Sequence, residues 1–564
     1  PWTWSNNWEG DGEIKQRLDR TLSSVEWNLN FGKAKCTHLK SHASDHSALI
    51  LDTNPVERNR KKRFFFDKRW LQREGILQVI KEAWDKKVEG SRMFQVKTKV
   101  RNCRIALLRW SNNNNRNSRE RIESIKGKLD QIQGSSLESI RKERASLKMQ
   151  LKEAYRDEEM FWSQKARLKW LQEGDKNTQF FHAQVNSRRK VNRMQKLQKE
   201  DGTWTENEDE LGTEIGSYYR QLFTKSTESS NHEIIDGIPK SISEAMNQDL
   251  TKVVTEEEIK SAIFSMDSNK APGIDGMSPL FFQKFWDIIK GDLVNAIKSF
   301  FHSGNMLKAI NHTIISLIPK VPCPINIKQY RPISLCSVIY KVIAKILVNR
   351  LKPILHHCIS INQSAFIPGR HILDNIITSH EYLHHLKNKR YGKDAFMAVK
   401  LDMSKAYDRV EWQFLQDIMG KMGFCEKWIT WIMKCINTVS FSFNINGECK
   451  EYIVPERGLR QGDPLSPYLF LICSEGFSSL LKKATQTRSM AGMKISRHGP
   501  SITHLFFADD SLIFCKANSQ EAKELKRILE VYEQESGQMV NLDKSSVFFS
   551  KNVDVATKEE VCMD

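Results

Sequence analysis

A run of ten residues, LFFADDSLIF (505–514), constrains the fold of this chain more than any other stretch. It places two adjacent carboxylates, Asp509 and Asp510, inside an otherwise apolar segment whose Phe, Leu and Ile flanks are typical of short buried strands. The pattern predicts a tight β-hairpin with Ala508 and Asp509 at or near its tip. Because burying unpaired carboxylates costs several kcal/mol, we expect another group nearby to offset their charge.

A third carboxylate, Asp402, also lies at the end of a predicted strand. The segment AFMAVKLDMSKAYDRVEW (395–412) begins as a strand over 395–401 and turns helical after Asp402. Side chains at strand ends are held rigidly, which suits a functional site. Two strand-borne carboxylates brought together repel each other unless a cation lies between them, and Mg²⁺ prefers such oxygen ligands. Two such ions, about 3.5–4 Å apart, would clamp the attacking and leaving oxygens of a phosphoryl transfer.

Strand alternation separates the roles of the two adjacent aspartates, because neighbouring side chains in a strand point to opposite faces. If Asp509 faces Asp402, Asp510 points elsewhere and matters less to metal binding. The alternative interpretation is that Asp509 and Asp510 merely populate a turn, where aspartate is common. Asp402 on a matching strand disfavours that alternative.

Composition favours an intracellular protein with a polyanionic partner. The 564 residues predict two or three domains, and the net charge of +19 favours nucleic acid first and a membrane surface second. The eleven cysteines show neither a CxxC pair nor zinc-finger spacing, which indicates reduced thiols. No apolar run approaches the roughly 20 residues that span a bilayer. The abrupt ends, PWTWSNNWEG and EEVCMD, predict that the chain is a fragment.

Three zones follow one another along the chain. Residues 1–53 mix Trp, Asn and Gly with short strand-like runs, residues 54–245 are basic and mostly helical in pattern, and residues 246–564 alternate strand-like and helical patterns. The last zone is typical of an α+β domain.

The middle zone carries two basic clusters, RNRKKR (58–63) and NSRRKVNRMQKLQK (186–199). Both favour contacts with nucleic-acid phosphates. RNRKKR is alternatively a nuclear localisation signal or part of a solvated linker. Phe180, Phe181 and Trp204 lie near the second cluster, where they either stack on bases or pack a core.

Taken together, these motifs resemble the reverse transcriptase of non-LTR (LINE-type) retrotransposons. Their residues are most similar to those of plant LINE elements. The resemblance covers roughly residues 150–550. It implies a right-hand polymerase with fingers and an antiparallel palm sheet over 246–564, and a thumb that is missing or incomplete. The motifs that carry it, besides F-A-D-D and D-M-S-K-A-Y-D-R-V, are NKAPGIDG (269–276), LIPKVPCPINIKQYRPISLCSVIYKVIAKILVNRL (317–351), NQSAFIPGRHILDNI (362–376), RGLRQGDPLSPYLF (457–470) and SGQMVNLDKSS (536–546).

The resemblance implies a two-metal polymerase site. Asp402 and Asp509 would bind two Mg²⁺ ions, with Asp510 alongside and Mn²⁺ as the alternative ion. Tyr407, five residues after Asp402, resembles the aromatic that blocks a ribose 2′-OH.

Further residues resemble those that bind the substrates in this family. Lys320 and Arg331 resemble fingers residues that grip the incoming triphosphate, for which Arg offers a planar fork and Lys a compact charge. Gln461 and Gly462 resemble the contact to template and nucleotide, and Lys544 resembles a proton donor to the leaving pyrophosphate. Ordinary solvated side chains are the alternative for these lysines and for Arg331.

Residues 1–53 resemble something else. TWSNN, RLDR and SDHSALIL are similar to the last motifs of the apurinic/apyrimidinic-type endonuclease that precedes the polymerase in LINE elements. By position Asp19 would orient His46, with Asp45 beside it. The upstream residues of such a nuclease are absent from this sequence, so we expect an inactive remnant.

The implied activity is RNA-directed DNA polymerisation, in which dNTPs are added to a DNA primer on an RNA template. The partners would be RNA, primer or target DNA and dNTPs, with an element-encoded RNA-binding protein as a further candidate and no membrane. The location would be the nucleus, after a cytoplasmic ribonucleoprotein stage. Two alternatives are a nucleic-acid-binding protein with a dead polymerase, and an intron maturase-type reverse transcriptase.

Overall fold

The computed structural model describes most of the chain. The described residues are 3–6, 8, 12, 14–24, 26–27, 31, 34–39, 44–53, 63–114, 118–132, 138–166, 178–226, 233–496 and 498–563. Among them, no helix combines the length and the apolar character that crossing a membrane requires.

The described chain contains both strands and helices, and a long run of helices precedes the fifth strand. The strands are β1 (Trp4–Ser5), β2 (Lys15–Gln16), β3 (Lys35–Leu39), β4 (Ala48–Asp52), β5 (His312–Pro319), β6 (Tyr330–Leu335), β7 (Phe396–Leu401), β8 (Ser440–Ile445), β9 (Glu448–Ile453), β10 (His504–Phe507), β11 (Asp510–Lys516) and β12 (Ser546–Phe549).

The helices before the fifth strand are α1 (Ile76–Trp84), α2 (Arg92–Asn114), α3 (Ser118–Gln131), α4 (Glu138–Ala166), α5 (Thr178–Asn192), α6 (Glu208–Phe223), α7 (Glu233–Gly237), α8 (Glu244–Thr251), α9 (Glu256–Phe264), α10 (Pro279–Lys284), α11 (Trp286–Ser303) and α12 (Lys308–Asn311). Those that follow are α13 (Val338–Leu351), α14 (Leu355–Cys358), α15 (Ile372–Asn388), α16 (Ala406–Arg409), α17 (Trp412–Met422), α18 (Glu426–Asn437), α19 (Ser466–Gln486), α20 (Ser519–Ser536) and α21 (Val555–Met563).

Four strands form an antiparallel sheet, here called sheet A, in the order β10-β11-β7-β12. Its inner strand β7 is apolar on both faces. Met397, Val399 and Leu401 pack into the main core, while Phe396 and Ala398 pack into a smaller one on the other face. A strand that is buried on both sides is held firmly, so the residue that follows it has a fixed position.

A second four-stranded sheet, sheet B, has the order β6-β5-β8-β9. Strands β5 and β8 run parallel, and the other pairs are antiparallel. Helix α6 packs against this sheet, and the ring of its Tyr219 stacks on Phe443 with centroids 4.7 Å apart. Sheet B and α6 share one hydrophobic core.

Part of the basic middle zone packs directly onto the later part of the chain. Trp84 of α1 and Lys99 of α2 both donate to one carboxylate oxygen of Asp292 in α11, at 2.9 and 2.7 Å. Apolar residues of α1, α2 and α11 also belong to the main core. The domain boundaries at 53/54 and 245/246 stay predictions, but residues 63–114 are structurally continuous with the α+β region.

Near the N-terminal end, β1 pairs with β2 and β3 with β4, both antiparallel. These are two small two-stranded sheets, and Ile50 and Leu51 of β4 are each 49% exposed. Such a small unit buries little apolar surface.

Candidate active site

The hairpin tip of sheet A holds one of the predicted carboxylates. Phe507 pairs with Asp510, so Ala508 and Asp509 form a two-residue connection between β10 and β11. This confirms the predicted hairpin. Ala508 adopts a φ of +55°, which a residue with a Cβ seldom does.

Asp402 follows the last residue of β7 and lies beside this tip, because Leu401 pairs with Ser511 on β11. The Asn541 amide donates to its carboxylate at 3.1 Å, and the Asn541 backbone N–H donates to its carbonyl oxygen at 2.8 Å. Lys544 Nζ lies 3.8 Å from the same carboxylate oxygen. The charge that we expected beside the aspartates is therefore provided in part by Lys544.

The electrostatics around Asp509 fit a cation site. Burial raises the pKa of the Asp509 carboxyl, and the negative charges of Asp510 and Asp402 raise it further. Asp509 is exposed at the cavity wall, so its carboxyl is only partly withdrawn from water. A divalent cation between Asp402 and Asp509 would relieve this repulsion.

One cavity of about 1490 Å³ collects most of the predicted site residues. Those that line it are Lys320, Arg331, Asp402, Tyr407, Gln461, Gly462, Asp509 and Lys544. Asp510 is exposed and is not part of this lining. Segments that are far apart in the sequence therefore meet at one place, between the end of β7 and the first residues of β6.

Several positively charged side chains line the same cavity as the aspartates. Burial lowers the pKa of Lys320, and the nearby cations Lys544 and Arg331 lower it further. Lys405, which the sequence analysis did not single out, also lines the cavity. Several cations held close together require a polyanion to offset their repulsion, and a triphosphate is such a group.

The environment of Lys405 is unusual. Its backbone φ is +56°, and its Nζ donates to the Tyr330 carbonyl oxygen at 3.2 Å. Burial lowers the Lys405 pKa to about 8, with Asp408 opposing the shift and Lys320 adding to it. The sequence signal was its place between Asp402 and Tyr407 in D-M-S-K-A-Y-D, but only the fold shows that it reaches the cavity.

Tyr407 presents its side chain to the cavity from the short helix α16. Its ring stacks on Phe470 of α19, with centroids 4.8 Å apart and planes 12° from parallel. Its carbonyl oxygen accepts the backbone N–H of Leu459 at 2.7 Å. Burial, and then the negative charge of Asp509, raise the pKa of the Tyr407 hydroxyl. The stack on Phe470 therefore restricts the orientation of the Tyr407 ring, and its hydroxyl lies close enough to Asp509 for the charge of that carboxylate to act on it.

Gln461 and Gly462 form a turn against sheet B. The Gln461 carbonyl oxygen accepts the backbone N–H of Ser334 on β6 at 2.8 Å. Gly462 has a φ of +98°, and a Cβ there would lie 3.3 Å from the Ser334 carbonyl oxygen. Glycine suits this close approach of two backbone segments. The Gln461 amide also reaches the buried Asp408 carboxylate at 3.4 Å.

A bound metal would need ligands beyond the protein. No group of three or more His, Cys, Asp or Glu side chains among the described residues is placed to hold an ion. Asp402 and Asp509 supply two hard oxygen donors, which fits Mg²⁺. This ion usually keeps waters and substrate phosphates as its other ligands.

The N-terminal residues also come together. His46 Nδ1 lies 2.9 Å from Asp19 Oδ2, and the Asp45 carboxylate accepts the indole N–H of Trp4 at 2.9 Å. The hydrogen bond to Asp19 raises the pKa of His46. The His46 and Asp19 side chains are 45% and 37% exposed, so this pair lies at a surface.

The aromatic residues near the second basic cluster differ in burial, which bears on whether they pack in a core or are open to stack on bases. Phe181 is 4% exposed and packs with Ala166 and Val185, while Trp204 is 44% exposed. The side chain of Phe180 and residues 58–62 lie outside the described part of the chain.

Comparison with known proteins agrees with this geometry. Residues 318–560 match the family model described as reverse transcriptase (RNA-dependent DNA polymerase). This segment is similar to a reverse transcriptase domain. It includes sheet A and every predicted site residue from Lys320 to Lys544. The mixed α/β architecture of the domain, with its sheets and helices, is confirmed.

Relatives of this domain are named for mobile elements. The chain is 27% identical over 560 residues to the transposon TX1 uncharacterized 149 kDa protein of Xenopus laevis. The aligned region covers 95% of this chain and 41% of that protein. The chain is also 27% identical over 308 residues to the Pol polyprotein of the type-2 retrotransposable element R2DM of Drosophila melanogaster, covering 53% of this chain and 26% of that protein.

A third match is shorter. The mitochondrial protein AtMg01250 of Arabidopsis thaliana is 49% identical over 69 residues, or 12% of this chain and 57% of that protein. The chain thus spans less than half of the first two relatives. The resemblance to a retrotransposon reverse transcriptase is confirmed at this level. The plant LINE assignment, the endonuclease remnant and the individual residue roles stay predictions.

Proposed function

We propose that this chain is the RNA-directed DNA polymerase of a LINE-type retrotransposon, which adds dNTPs to a DNA primer 3′-OH on an RNA template. One observation carries the proposal. Asp402 and Asp509, at the ends of neighbouring strands of a reverse transcriptase domain, line one cavity with Lys320 and Arg331. In this proposal sheet A belongs to the palm and sheet B to the fingers.

The chemistry follows from which charges face each other. Two Mg²⁺ ions held by Asp402 and Asp509 would favour the ionised 3′-OH and neutralise charge on the transferred phosphate. Lys320 and Arg331, which line the same cavity, would bind the triphosphate oxygens. Lys544, whose Nζ lies 3.8 Å from Asp402 Oδ2, would give a proton to the departing pyrophosphate.

Substrate choice would depend on two other parts of the wall. The Tyr407 ring, which stacks on Phe470 at the cavity, would exclude a ribose 2′-OH by its bulk, which is specificity by clash. Gln461 and Gly462 bring a turn of backbone against the template or the nucleotide.

The remaining assignments rest on charge and position. Cations of the basic zone 54–245 would contact RNA or duplex phosphates, and RNRKKR would direct the protein to the nucleus after a cytoplasmic ribonucleoprotein stage. An element-encoded RNA-binding protein is a further candidate partner. The pair His46–Asp19, with Asp45 beside it, would be an inactive endonuclease remnant.

Primer extension tests the central proposal. Purified protein with poly(A) template, oligo(dT) primer, dTTP and Mg²⁺ should extend the primer, with Mn²⁺ as the alternative ion. Asp402→Asn and Asp509→Asn should abolish incorporation, because each removes a charged metal ligand. Their affinity for RNA should stay close to that of wild type, since binding comes mostly from basic residues elsewhere.

Asp510→Asn is the matched control, because it changes the neighbouring carboxylate that does not line the cavity; we expect a much smaller loss. If Asp509→Asn kept a tenth of wild-type incorporation, the two-metal assignment would be rejected. RNA binding by a wild-type protein that extends no primer would favour the dead-polymerase alternative. Extension that depends on one structured intron RNA would favour the maturase-type alternative.

A further inference from the structure

The hairpin tip that carries Asp509 is held by a side chain from a distant part of the chain. Gln363 donates its amide N–H to the Ala508 carbonyl oxygen at 3.3 Å, and its Oε1 accepts the Ala508 backbone N–H at 3.0 Å. These two bonds reproduce the reciprocal pairing of a β-ladder, with an amide side chain in place of a backbone. Gln363 itself is 1% exposed, so water does not compete for them.

The tip needs such support because its backbone is strained. Ala508 has a φ of +55°, whereas the φ of its neighbour Asp509 is not positive. A positive φ at only the first central residue is typical of a type II′ turn, where glycine is preferred. Alanine there costs free energy, and strain of this kind persists where surrounding bonds over-determine the conformation.

The backbone around Gln363 is attached to the same strand. Ser364 N donates to the Phe506 carbonyl oxygen at 3.1 Å, and Phe506 N donates to the Asn362 carbonyl oxygen at 2.8 Å. Residues 362–364 therefore run beside β10 as a short parallel extension of sheet A, with Gln363 opposite Phe506. The Gln363 Oε1 also accepts the backbone N–H of Ala365 at 3.0 Å, which fixes the rotamer.

We propose that Gln363 is a positioning residue that holds the Ala508–Asp509 turn, so that the Asp509 carboxylate stays at the cavity wall facing Asp402. Gln363 does not line the cavity and touches no reacting atom. Its catalytic importance rests on the proposed function, whereas its grip on the turn does not.

Hydrogen exchange tests directly whether the hydrogen bonds of Gln363 hold the turn. In the wild-type protein the Ala508 amide, resolved by fragmentation of a peptide covering 504–511, should exchange slowly, although the amide at the tip of a two-residue turn normally exchanges fast. In Gln363→Met, which keeps the side-chain volume without the amide, this one amide should exchange at least tenfold faster. A peptide covering β7 should be unchanged. An unprotected Ala508 amide in wild type would overturn the proposal, even if every variant failed to fold.

Steady-state kinetics test the consequence. Gln363→Met should lower kcat for dNTP incorporation by at least tenfold, change the KM for dNTP less than threefold, and raise the Mg²⁺ concentration that gives half-maximal rate. Gln363→Glu, which keeps the shape and the acceptor oxygen but loses the N–H donor, should have a kcat between those of wild type and Gln363→Met. The matched control is Gln283→Met, since the Gln283 amide also bonds to two backbone carbonyls, those of Ile263 and Met266, far from the cavity.

A kcat for Gln363→Met equal to that of Gln283→Met would contradict the positioning role. Wild-type protein that extends no primer would reject the proposed function instead, and the exchange experiment would still decide whether Gln363 holds the turn.

Discussion

Arg460 and Asp463 form an ion pair across the base of the turn that carries Gln461 and Gly462. Arg460 Nη2 lies 2.7 Å from Asp463 Oδ2, and the two side chains are 3% and 1% exposed. The guanidinium also stacks on the ring of Tyr340 at 3.9 Å, and the Tyr340 hydroxyl donates to Asp463 Oδ2 at 2.6 Å. The turn between these residues therefore has a rigid base in the main core.

The first prediction concerns this pair. The Arg460 guanidinium also donates hydrogen bonds to three other acceptors, namely Asn311 Oδ1, Thr313 Oγ1 and the Cys435 carbonyl oxygen. Arg460→Met leaves Asp463 buried without its cation, which should lower the free energy of unfolding by about 3–5 kcal/mol. Adding Asp463→Leu should recover much of that loss, because the uncompensated charge is then gone. Urea denaturation of the single and double variants measures both effects. Losses that simply add would show that the two charges do not depend on each other.

The second prediction concerns sugar selection by Tyr407. Tyr407→Val should raise the kcat/KM ratio of rNTP to dNTP by one to several orders of magnitude, because the valine side chain leaves room for a 2′-OH. Each tenfold change corresponds to about 1.4 kcal/mol. Competitive incorporation of rNTP and dNTP gives the ratio. Tyr391→Val, at a tyrosine that is 87% exposed, is the control and should leave it unchanged.

If Tyr407 only packs the first turn of its helix, Tyr407→Val should weaken incorporation of both substrates together and leave the ratio at its wild-type value. The stack on Phe470 offers a second check. Phe470→Leu removes the flat surface behind the ring, and we expect a smaller shift of the ratio in the same direction.

The third prediction concerns pH. Asp408 is 2% exposed, and burial raises its pKa to about 7, with Lys405 opposing the shift. The pKa in the unfolded chain is about 3.9, so between about pH 4 and pH 7 the folded protein binds more protons at this site than the unfolded chain does. The free energy of unfolding should therefore fall as the pH rises through that window.

Asp408→Asn removes this dependence. Between about pH 5.5 and about pH 8, wild type should lose on the order of 1–2 kcal/mol of stability relative to Asp408→Asn. Urea denaturation at both pH values measures the difference, with the exposed Asp236→Asn as the control. Parallel pH profiles for wild type and Asp408→Asn would contradict the raised pKa.

The fourth prediction concerns the N-terminal pair. Catalytic groups usually act in a preorganised site that excludes water, whereas the His46 and Asp19 side chains are 45% and 37% exposed. We expect no nicking of supercoiled plasmid by this pair in the presence of Mg²⁺. Nicking that is present in wild type and disappears in His46→Ala would show that this pair belongs to a working nuclease.

Several features of the site were predictable from short stretches of sequence. The apolar flanks of LFFADDSLIF and the apolar run that ends at Asp402 predicted the hairpin and the strand end correctly, because strand and turn preferences are local properties. Lys405 and Asp408 stood in the same motif, yet nothing in their spacing showed that one would be a half-buried cation at the cavity and the other a buried acid. Burial depends on residues from other segments.

Local elements, and the kinds of side chain that each segment offers, follow from periodicity and residue chemistry, so they could be predicted from the order of residues alone. Which charges meet depends on the folded chain. It brought Lys320 and Lys544, from opposite ends of the domain, to the same carboxylate, and it placed Gln363 against the turn of Asp509. The physical reason is that packing of β7 between two cores fixes the strand end in space, and charge and hydrogen-bond energies depend on distance in space rather than on separation along the chain.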